Sequence, residues 1–266
     1  MGIINLTEDS FYAASRTAGA EAVERAGKML EEGAHILDLG ACSTRPGSTA
    51  PSADEEWQRL ETALQAIRKA FPKAQLSVDT YRASVVERTF DAIGPFLVND
   101  ISAGRLDGEM LPLVGRLGLP YVAMHMRGTP ETMQQQTTYE TDITSAVQAY
   151  FEDFAQKADE NGVADWILDP GFGFAKTVEQ NYELLRNMDR LQVLGRPLLV
   201  GVSRKSMIYK PLGITPEEAL APTQVVQFIA MEKGADILRV HDVAEAVRTA
   251  KLYSTMYTSS PGAAKR

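Results

Sequence analysis

The sequence predicts a single-domain (β/α)8 barrel, and three observations carry that expectation. Short apolar, β-rich runs alternate with longer helical stretches along the chain. Eight such runs fit within 266 residues, the usual size of such a barrel. Several runs, among them Ile36-Leu37 and Leu198-Leu199-Val200, are continuously apolar, as parallel strands covered on both faces are. Eight strands alternating with helices favour a closed barrel; an open, doubly wound sheet is the alternative at this level.

The elements follow in order. A first strand is expected at Gly2–Asn5 and a helix over Ala20–Glu32. The second strand is His35–Gly40 with a helix over Asp54–Ala70, and the third is Gln75–Asp79 with a helix over Arg82–Asp91. Strands four and five fall at Phe96–Asn99 and Tyr121–His125, followed by a helix over Thr141–Asn161. The sixth is Trp166–Asp169, the seventh Leu198–Val202, then a helix over Thr215–Lys233 and a last strand at Ile237–Val240. The helical stretches place apolar residues at i, i+3, i+4 and i+7. No linker, repeat or low-complexity block divides the chain, so the catalytic domain is expected over residues 1–253. Residues 254–266 lack apolar periodicity and end in Ser-Ser-Pro-Gly-Ala-Ala-Lys-Arg, which predicts a disordered tail. The chain starts at its first strand, so nothing is expected to cover the barrel's N-terminal end.

Composition narrows the function. Hydrophobic residues make up 44% and charged residues 23%, as in soluble globular enzymes. A formal charge of −8 argues against a nucleic-acid partner, which needs a basic face. It leaves room for an anionic small molecule held by a few local cations. The single cysteine, Cys42, cannot form an internal disulfide. No apolar run approaches the roughly 20 residues that span a bilayer, and Met1 to Asn5 lacks the basic flank of a signal peptide. A cytoplasmic enzyme without a membrane partner is the expectation.

Parallel β/α folds place their sites at the C-terminal ends of the strands. Here the proposed strands run into Asn5, Gly40, Asp79, Asn99-Asp100, His125, Asp169, Ser203-Arg204-Lys205 and Arg239-Val240-His241-Asp242. One polar strand end means little, since solvent is near; eight together predict a polar crater. Lys205, Arg239 and His241 come from strands seven and eight, the usual phosphate corner of such barrels, and Arg and Lys suit phosphate oxygens. Asn5, beside strand eight in a closed barrel, offers an amide oxygen to a Mg²⁺ carried by a pyrophosphate. Asp79, Asn99 and Asp169 lie toward the other wall, where a flat heterocycle rich in N–H donors would partner the two carboxylates and the amide. The expectation is thus a crater with cations on one side and carboxylates on the other. His125, Asp100, Asp242 and Arg204 also have bland readings: a core histidine, two residues that cap helices or orient their neighbours, and an ion-pair partner. His35 sits at the wrong end, and Cys42 reads as a packed thiol.

The residues then become recognisable. From Met1 to about Tyr253 the chain resembles the dihydropteroate synthase family, through nine blocks in order: Met1-Gly-Ile-Ile-Asn-Leu-Thr, Asp9-Ser-Phe, Ser43-Thr-Arg-Pro-Gly, Ser77-Val-Asp-Thr-Tyr, Asn99-Asp-Ile-Ser-Ala-Gly, Met124-His-Met-Arg-Gly-Thr-Pro, Leu168-Asp-Pro-Gly-Phe-Gly-Phe, Ser203-Arg-Lys-Ser and Leu238-Arg-Val-His-Asp. The resemblance implies condensation of 6-hydroxymethyl-7,8-dihydropterin diphosphate with 4-aminobenzoate, giving 7,8-dihydropteroate and diphosphate, with Mg²⁺ as cofactor and a homodimer as the assembly. It implies pterin binding by Asp79, Asn99, Asp169 and Lys205, with Met124 in the pterin-facing wall, and a grip on the diphosphate and its Mg²⁺ by Asn5, Arg239 and His241. Phe11, Thr44, Arg45, Pro46, Phe174 and Ser206 match the surroundings of aminobenzoate, over which the first two loops close. Asp79, Asp169, Lys205, Arg239 and His241 form the catalytic set, with both carboxylates ionised.

The chain departs from the family at three places. Glu8 stands where proline is common, and Tyr12-Ala13-Ala14-Ser15 replaces a glycine-rich stretch, which narrows the conformations of the first loop. Ala41-Cys42 replaces Gly-Glu, and Ala221-Pro222-Thr223-Gln224 replaces Asn-Gly-Thr-Thr. The altered first loop motivates one alternative, a pterin-binding paralogue that no longer condenses its substrates. A pterin methyltransferase of the methyltetrahydrofolate-binding type is another, but it does not need the Ser203-Arg-Lys-Ser and Arg239-Val-His cationic set. A nucleotide-binding doubly wound protein would need a glycine-rich fingerprint after the first strand, and none is present.

Overall fold

A barrel strand must point alternate side chains into the lumen and out beneath the helices, and the computed structural model keeps that alternation on each strand. It describes residues 1–6, 15–42 and 51–258. The strands are β1 (Gly2–Asn5), β2 (Ile36–Gly40), β3 (Gln75–Asp79), β4 (Leu97–Asp100), β5 (Tyr121–Met124), β6 (Trp166–Asp169), β7 (Leu199–Val200) and β8 (Ile237–Leu238). β1 to β6 pair in sequence order, and β7 pairs with β8, all in parallel. Parallel bridges Leu168↔Leu198 and Gly2↔Val240 join the two ladders at both seams. There Leu168 N–H donates to Pro197 O at 2.9 Å and Ile3 N–H to Val240 O at 3.0 Å. The sheet therefore closes, and the architecture is a single-domain (β/α)8 barrel.

Outward-pointing Ile4, Leu37, Val78, Val98, Leu168 and Val200 pack into the main core under the helices α1 (Ser15–Glu31), α2 (Ala53–Ala70), α3 (Ala83–Ile93), α4 (Met110–Leu117), α5 (Ile143–Glu160), α6 (Val178–Arg186), α7 (Ser206–Leu212), α8 (Leu220–Glu232) and α9 (Val243–Thr258). Local chemistry starts several of these. Ser52 and Glu55 form a reciprocal capping box on α2, Thr177 and Gln180 form one on α6, and the Asp142 carboxylate caps α5, each worth about 1 kcal/mol.

The lumen is layered. At its lower level Leu97, Val122 and Leu199 are buried against Met1, Ile36, Ile167 and Ile237, so the N-terminal end is filled from within. Two residues further along their strands stand Asp38, Asn99, Met124, Asp169, Gly201 and Arg239. The two-residue repeat of a strand puts these on the same inner face, one level nearer the mouth. Each fully buried aliphatic side chain below contributes about 1.5–3 kcal/mol, which offsets the cost of holding charges above it.

The structure corrects the expected boundaries at three points. β7 and β8 are shorter than expected because their ladder passes to other partners; Leu198 N–H, for one, donates to the Asp236 carboxylate at 2.8 Å. α4, α6, α7 and α9 lie outside the helical stretches named from the sequence; in α4, Pro112 and Gly115 interrupt the pattern. Gly115 is required because a Cβ there would stand 1.8 Å from Asn161 O, just beyond α5. The expected tail at 254 starts too early: α9 continues to Thr258, with the Ser254 and Thr255 hydroxyls donating to carbonyls one turn back and Tyr257 packing on Tyr253. No helix among the described residues is long and apolar enough to cross a membrane.

Candidate active site

At the mouth of the lumen, Arg239 from β8 is gripped by two carboxylates. Its Nε donates to Asp38 Oδ2 and its Nη2 to Asp79 Oδ2, both at 2.7 Å, while Asn99 Nδ2 donates to the same Asp38 oxygen at 3.1 Å. Asp38 is wholly buried, and its Oδ1 has no partner among the described residues. Burial, followed by the approach of Asp38, pushes the Asp79 carboxyl up to about 7, against the pull of Arg239. Burial opposes the charge on Arg239, but Asp38 and Asp79 outweigh it and hold the guanidinium above its ordinary value.

The second half comes from β6 and the turn after β7. Asp169 Oδ1 accepts the Gly171 N–H at 2.8 Å; burial raises its carboxyl, opposed mainly by Lys205. The Lys205 ammonium donates to Phe172 O at 2.6 Å and lies 4.8 Å from the centre of the Phe174 ring. Burial lowers its pKa to about 8, with Asp169 acting in the opposite sense. Gly201 lies where the two cations approach; a Cβ there would stand 3.8 Å from Arg239 Cβ and 3.9 Å from Lys205 Nζ.

A clamp joins the two cationic loops. Arg204 pairs with Asp242 through Nε at 2.8 Å and Nη2 at 2.9 Å, and its Nη1 donates to Pro216 O and Glu217 O. Its backbone lies in the left-handed region, φ 52°, a conformation that costs a non-glycine residue roughly 1–3 kcal/mol and needs surrounding contacts to persist. The Arg204 N–H reaches Thr223 Oγ1 at 3.2 Å, and the His241 N–H reaches Ser203 Oγ at 3.3 Å. Burial, then Arg239, lowers the His241 imidazole to about 4, so at neutral pH it offers a neutral donor.

One wall of the mouth is apolar. Ile101, Met124, Met126, Met133 and Ala175 form a cluster separate from the main core, with Tyr81 and Phe174 packed on it. Behind the opposite edge, Arg82 pairs with the wholly buried Glu56 and donates to Pro51 O, tying α2 to the turn after β3.

A crater offering carboxylates, an amide, two cations and a thioether-lined wall suits a flat, donor-rich ring with an anionic substituent, and the relatives agree. A family model for pterin binding enzyme matches residues 1–241. Dihydropteroate synthase of Escherichia coli (strain K12) is 39% identical over 255 residues, covering 95% of this chain and 89% of that protein. The chain belongs to the dihydropteroate synthase family. Two solved members share its fold closely. The Clostridium difficile enzyme, crystallised in the presence of pteroic acid, has a TM-score of 0.89 and 35% identity over 97% of this chain and 95% of that one. The Thermus thermophilus enzyme, in complex with 4-aminobenzoate, has a TM-score of 0.85 and 37% identity over 97% and 93%. Members of this family are transferases, and this chain is one.

Against the residues expected from the family blocks, Asp79, Asn99, Met124, Asp169, Lys205 and Arg239 converge on one mouth. His241 stands at its β8 edge, Phe174 lies on the loop after β6 and Ser206 starts α7. Asn5 ends β1 and is exposed. Phe11, Thr44, Arg45 and Pro46 lie outside the described residues, as does the altered stretch from Glu8 to Ala14. Three expectations need correction. Cations and carboxylates do not occupy opposite walls, because a buried guanidinium needs its counter-charges beside it. His241 is neutral rather than part of a cationic set. Burial pushes Asp79 toward its protonated form, and the ion pair with Arg239 opposes that shift. Asp100 points outward, where Tyr121 Oη donates to it at 2.5 Å and the Ser102 hydroxyl at 2.7 Å, so its bland reading holds. His125 is buried beneath the rim against Lys176. Sequence reasoning missed Asp38 and Lys176. Asp38 carried a usable signal, being a charged residue inside an apolar strand at the inward-facing parity.

Proposed function

We propose that this crater joins 6-hydroxymethyl-7,8-dihydropterin diphosphate to 4-aminobenzoate, releasing diphosphate. The observation that carries this assignment of roles is the meeting of Asp38, Asp79, Asn99, Asp169, Lys205 and Arg239 at one mouth beside an apolar wall. Pteroic acid and 4-aminobenzoate accompany solved relatives and lend it support.

Asp79, Asn99 and Asp169 face the pterin's N–H donors, Met124 lies along its face, and Lys205 serves a ring acceptor. The Asp38 oxygen without a partner is a further acceptor. Arg239 gives Nε and Nη2 to carboxylates, leaving Nη1 for the substrate among the contacts of the described residues. The neutral His241 donates to the departing diphosphate. Mg²⁺ fits the donor set: Asn5 offers one neutral oxygen, and no group of three acidic, histidine or cysteine residues competes for the ion among the described residues, which suits a cation held mainly by water and diphosphate oxygens. When bound, the ion neutralises charge on the leaving group.

Breaking the CH2–O bond leaves positive charge spread over the electron-rich ring, and ionised Asp79 and Asp169 stabilise it. The amine of 4-aminobenzoate, placed near Phe174 and Ser206 with Phe11, Thr44, Arg45 and Pro46 from the first two loops, then attacks the carbon. No covalent enzyme intermediate is required. We further read the protein as a cytoplasmic homodimer. Val225, Leu252, Met256 and Tyr257 on α8 and α9 are exposed beside Phe228 and Tyr253, an apolar surface that a second copy would cover.

Diphosphate release tests the reading. It should require both substrates and Mg²⁺, with one diphosphate per dihydropteroate. Pterin binding without aminobenzoate-dependent release would favour the non-condensing paralogue instead.

A further inference from the structure

The loop after β6, residues 170–176, closes round a buried amine to which the condensation assigns no role. Lys176 is 4% exposed. Its Nζ lies 2.9 Å from Gly171 O, 3.1 Å from Phe174 O and 2.8 Å from His125 Nδ1. Carbonyl oxygens only accept, so the amine donates to both. The contact with His125 is a hydrogen bond whichever partner holds the proton, because an ammonium donates to a bare Nδ1 and a neutral amine accepts from Nδ1–H. His125 is fixed in turn between the Tyr139 and Tyr150 rings, at 6.1 and 4.7 Å between centroids.

The backbone is bent to suit this amine. Gly171, Gly173 and Ala175 all have positive φ, at 69°, 82° and 49°. Gly171 and Phe174 turn their carbonyls to Lys176, while Phe172, between them in sequence, turns its own to Lys205. Gly173 O accepts from Gln134 Nε2 at 3.2 Å and Ala175 O from Tyr139 Oη at 2.8 Å. The loop is thus held chiefly by side chains, and buried carbonyls keep such a shape only while they are paired. A Cβ at Gly171 would stand 2.0 Å from His125 O, so the loop lies directly on the end of β5.

We propose that Lys176, together with His125, is a positioning residue for the pterin. It fixes the loop so that Gly171 N–H orients the Asp169 carboxylate, Phe172 O holds the Lys205 ammonium and the Phe174 ring lies beneath that ammonium. Lys176 itself touches no substrate. The inference rests on the reading that the pterin lies against Asp169 and Lys205.

Two variants of the full chain test it: Lys176→Met, which keeps the aliphatic length and deletes the amine, and His125→Phe, which keeps a ring between the tyrosines and deletes its nitrogens, and with them the Nδ1 contact to Lys176. Calorimetric binding of the pterin diphosphate with Mg²⁺, steady-state kinetics and a thermal midpoint are measured for each beside the wild type. Lys176→Met should weaken pterin diphosphate binding about tenfold or more, as loss of several buried hydrogen bonds at once does. His125→Phe should shift it the same way by roughly two- to fivefold, as loss of one ordinary bond does, while unfolding within a few degrees of wild type. Folded Lys176→Met with wild-type binding and kinetics overturns the proposal. So does His125→Phe with unchanged binding if Lys176→Met fails to fold, since that result leaves Lys176 a stabilising role alone. A wild-type protein that binds no pterin diphosphate would instead overturn the reading of the site.

Discussion

Replacing Asp38 should expose how far the site depends on a residue that need not touch the chemistry. Asp38 is wholly buried, holds Arg239 Nε at 2.7 Å and accepts from Asn99 at 3.1 Å. Removing one partner of a buried ion pair costs about 3–5 kcal/mol. Asp79 still holds the other edge of the guanidinium, so Asp38→Ala should fall at the lower end, about 3 kcal/mol. In a chain of this size that is a drop in Tm on the order of 10 °C. Pterin diphosphate affinity should fall with it, because Arg239 and Asn99 lose their orientation. Asp38→Asn keeps an acceptor and loses the charge; a charge-assisted bond is roughly twice as strong as a neutral one, so this change should cost only about 1–2 kcal/mol. It should also lower the pKa of Asp79, since the like charge of Asp38 helps raise it. Denaturant unfolding and a pH series of kcat/KM would measure both effects. A loss below about 1 kcal/mol for Asp38→Ala, with pterin binding intact, would refute the claim that this carboxylate organises the mouth.

The remaining predictions concern single groups. The kcat/KM for the pterin diphosphate should form a bell, its acid limb set by Asp79 near 7 and its alkaline limb by Lys205 near 8; a flat profile from about pH 6 to 9 would contradict it. In the folded protein Asp79 titrates above its ordinary value, so its contribution to stability is full at low pH and declines as pH rises from about 4 toward 7; Asp79→Asn should remove that slope from unfolding free energies. Asn99→Ala should abolish most pterin affinity while sparing stability. Asp100→Ala should do the reverse, losing about 2–4 kcal/mol of unfolding free energy; matching effects at both positions would deny the inward–outward distinction.

Much of this was legible in the sequence, because barrel strands announce themselves by continuous apolar runs and polar ends. Parity could have taken the reading further. Counting by twos from Ile36, Leu97, Ile167 and Ile237 reaches Asp38, Asn99, Asp169 and Arg239, separates Asn99 from Asp100 and explains why Asp38 is charged within an apolar strand. Pairing was harder to see. Arg239 and Asp79 are far apart in the chain, and nothing local reveals that low dielectric forces the guanidinium between carboxylates instead of across from them. Lys176 was hidden for a similar reason: next to a capping box, it reads as a solvated residue at the start of α6, and only the fold buries it. α4 escapes a periodicity search because Gly115 serves the close approach of Asn161 rather than a turn. The tail is expected too early because the last turn of α9 is held by hydroxyl-to-carbonyl bonds and ring contacts, which leave no apolar period.

The assignment of roles at the mouth is tested most directly by binding of the pterin diphosphate, with Mg²⁺, to wild type and Asp169→Asn. Asn at this position keeps the size of the side chain but turns one acceptor into a donor facing the ring's own N–H groups. Wild type should bind and, on addition of 4-aminobenzoate, release diphosphate, whereas Asp169→Asn should remain folded and lose about a hundredfold in affinity, roughly 3 kcal/mol. Equal affinity in the two proteins would show that the pterin does not lie where these side chains converge.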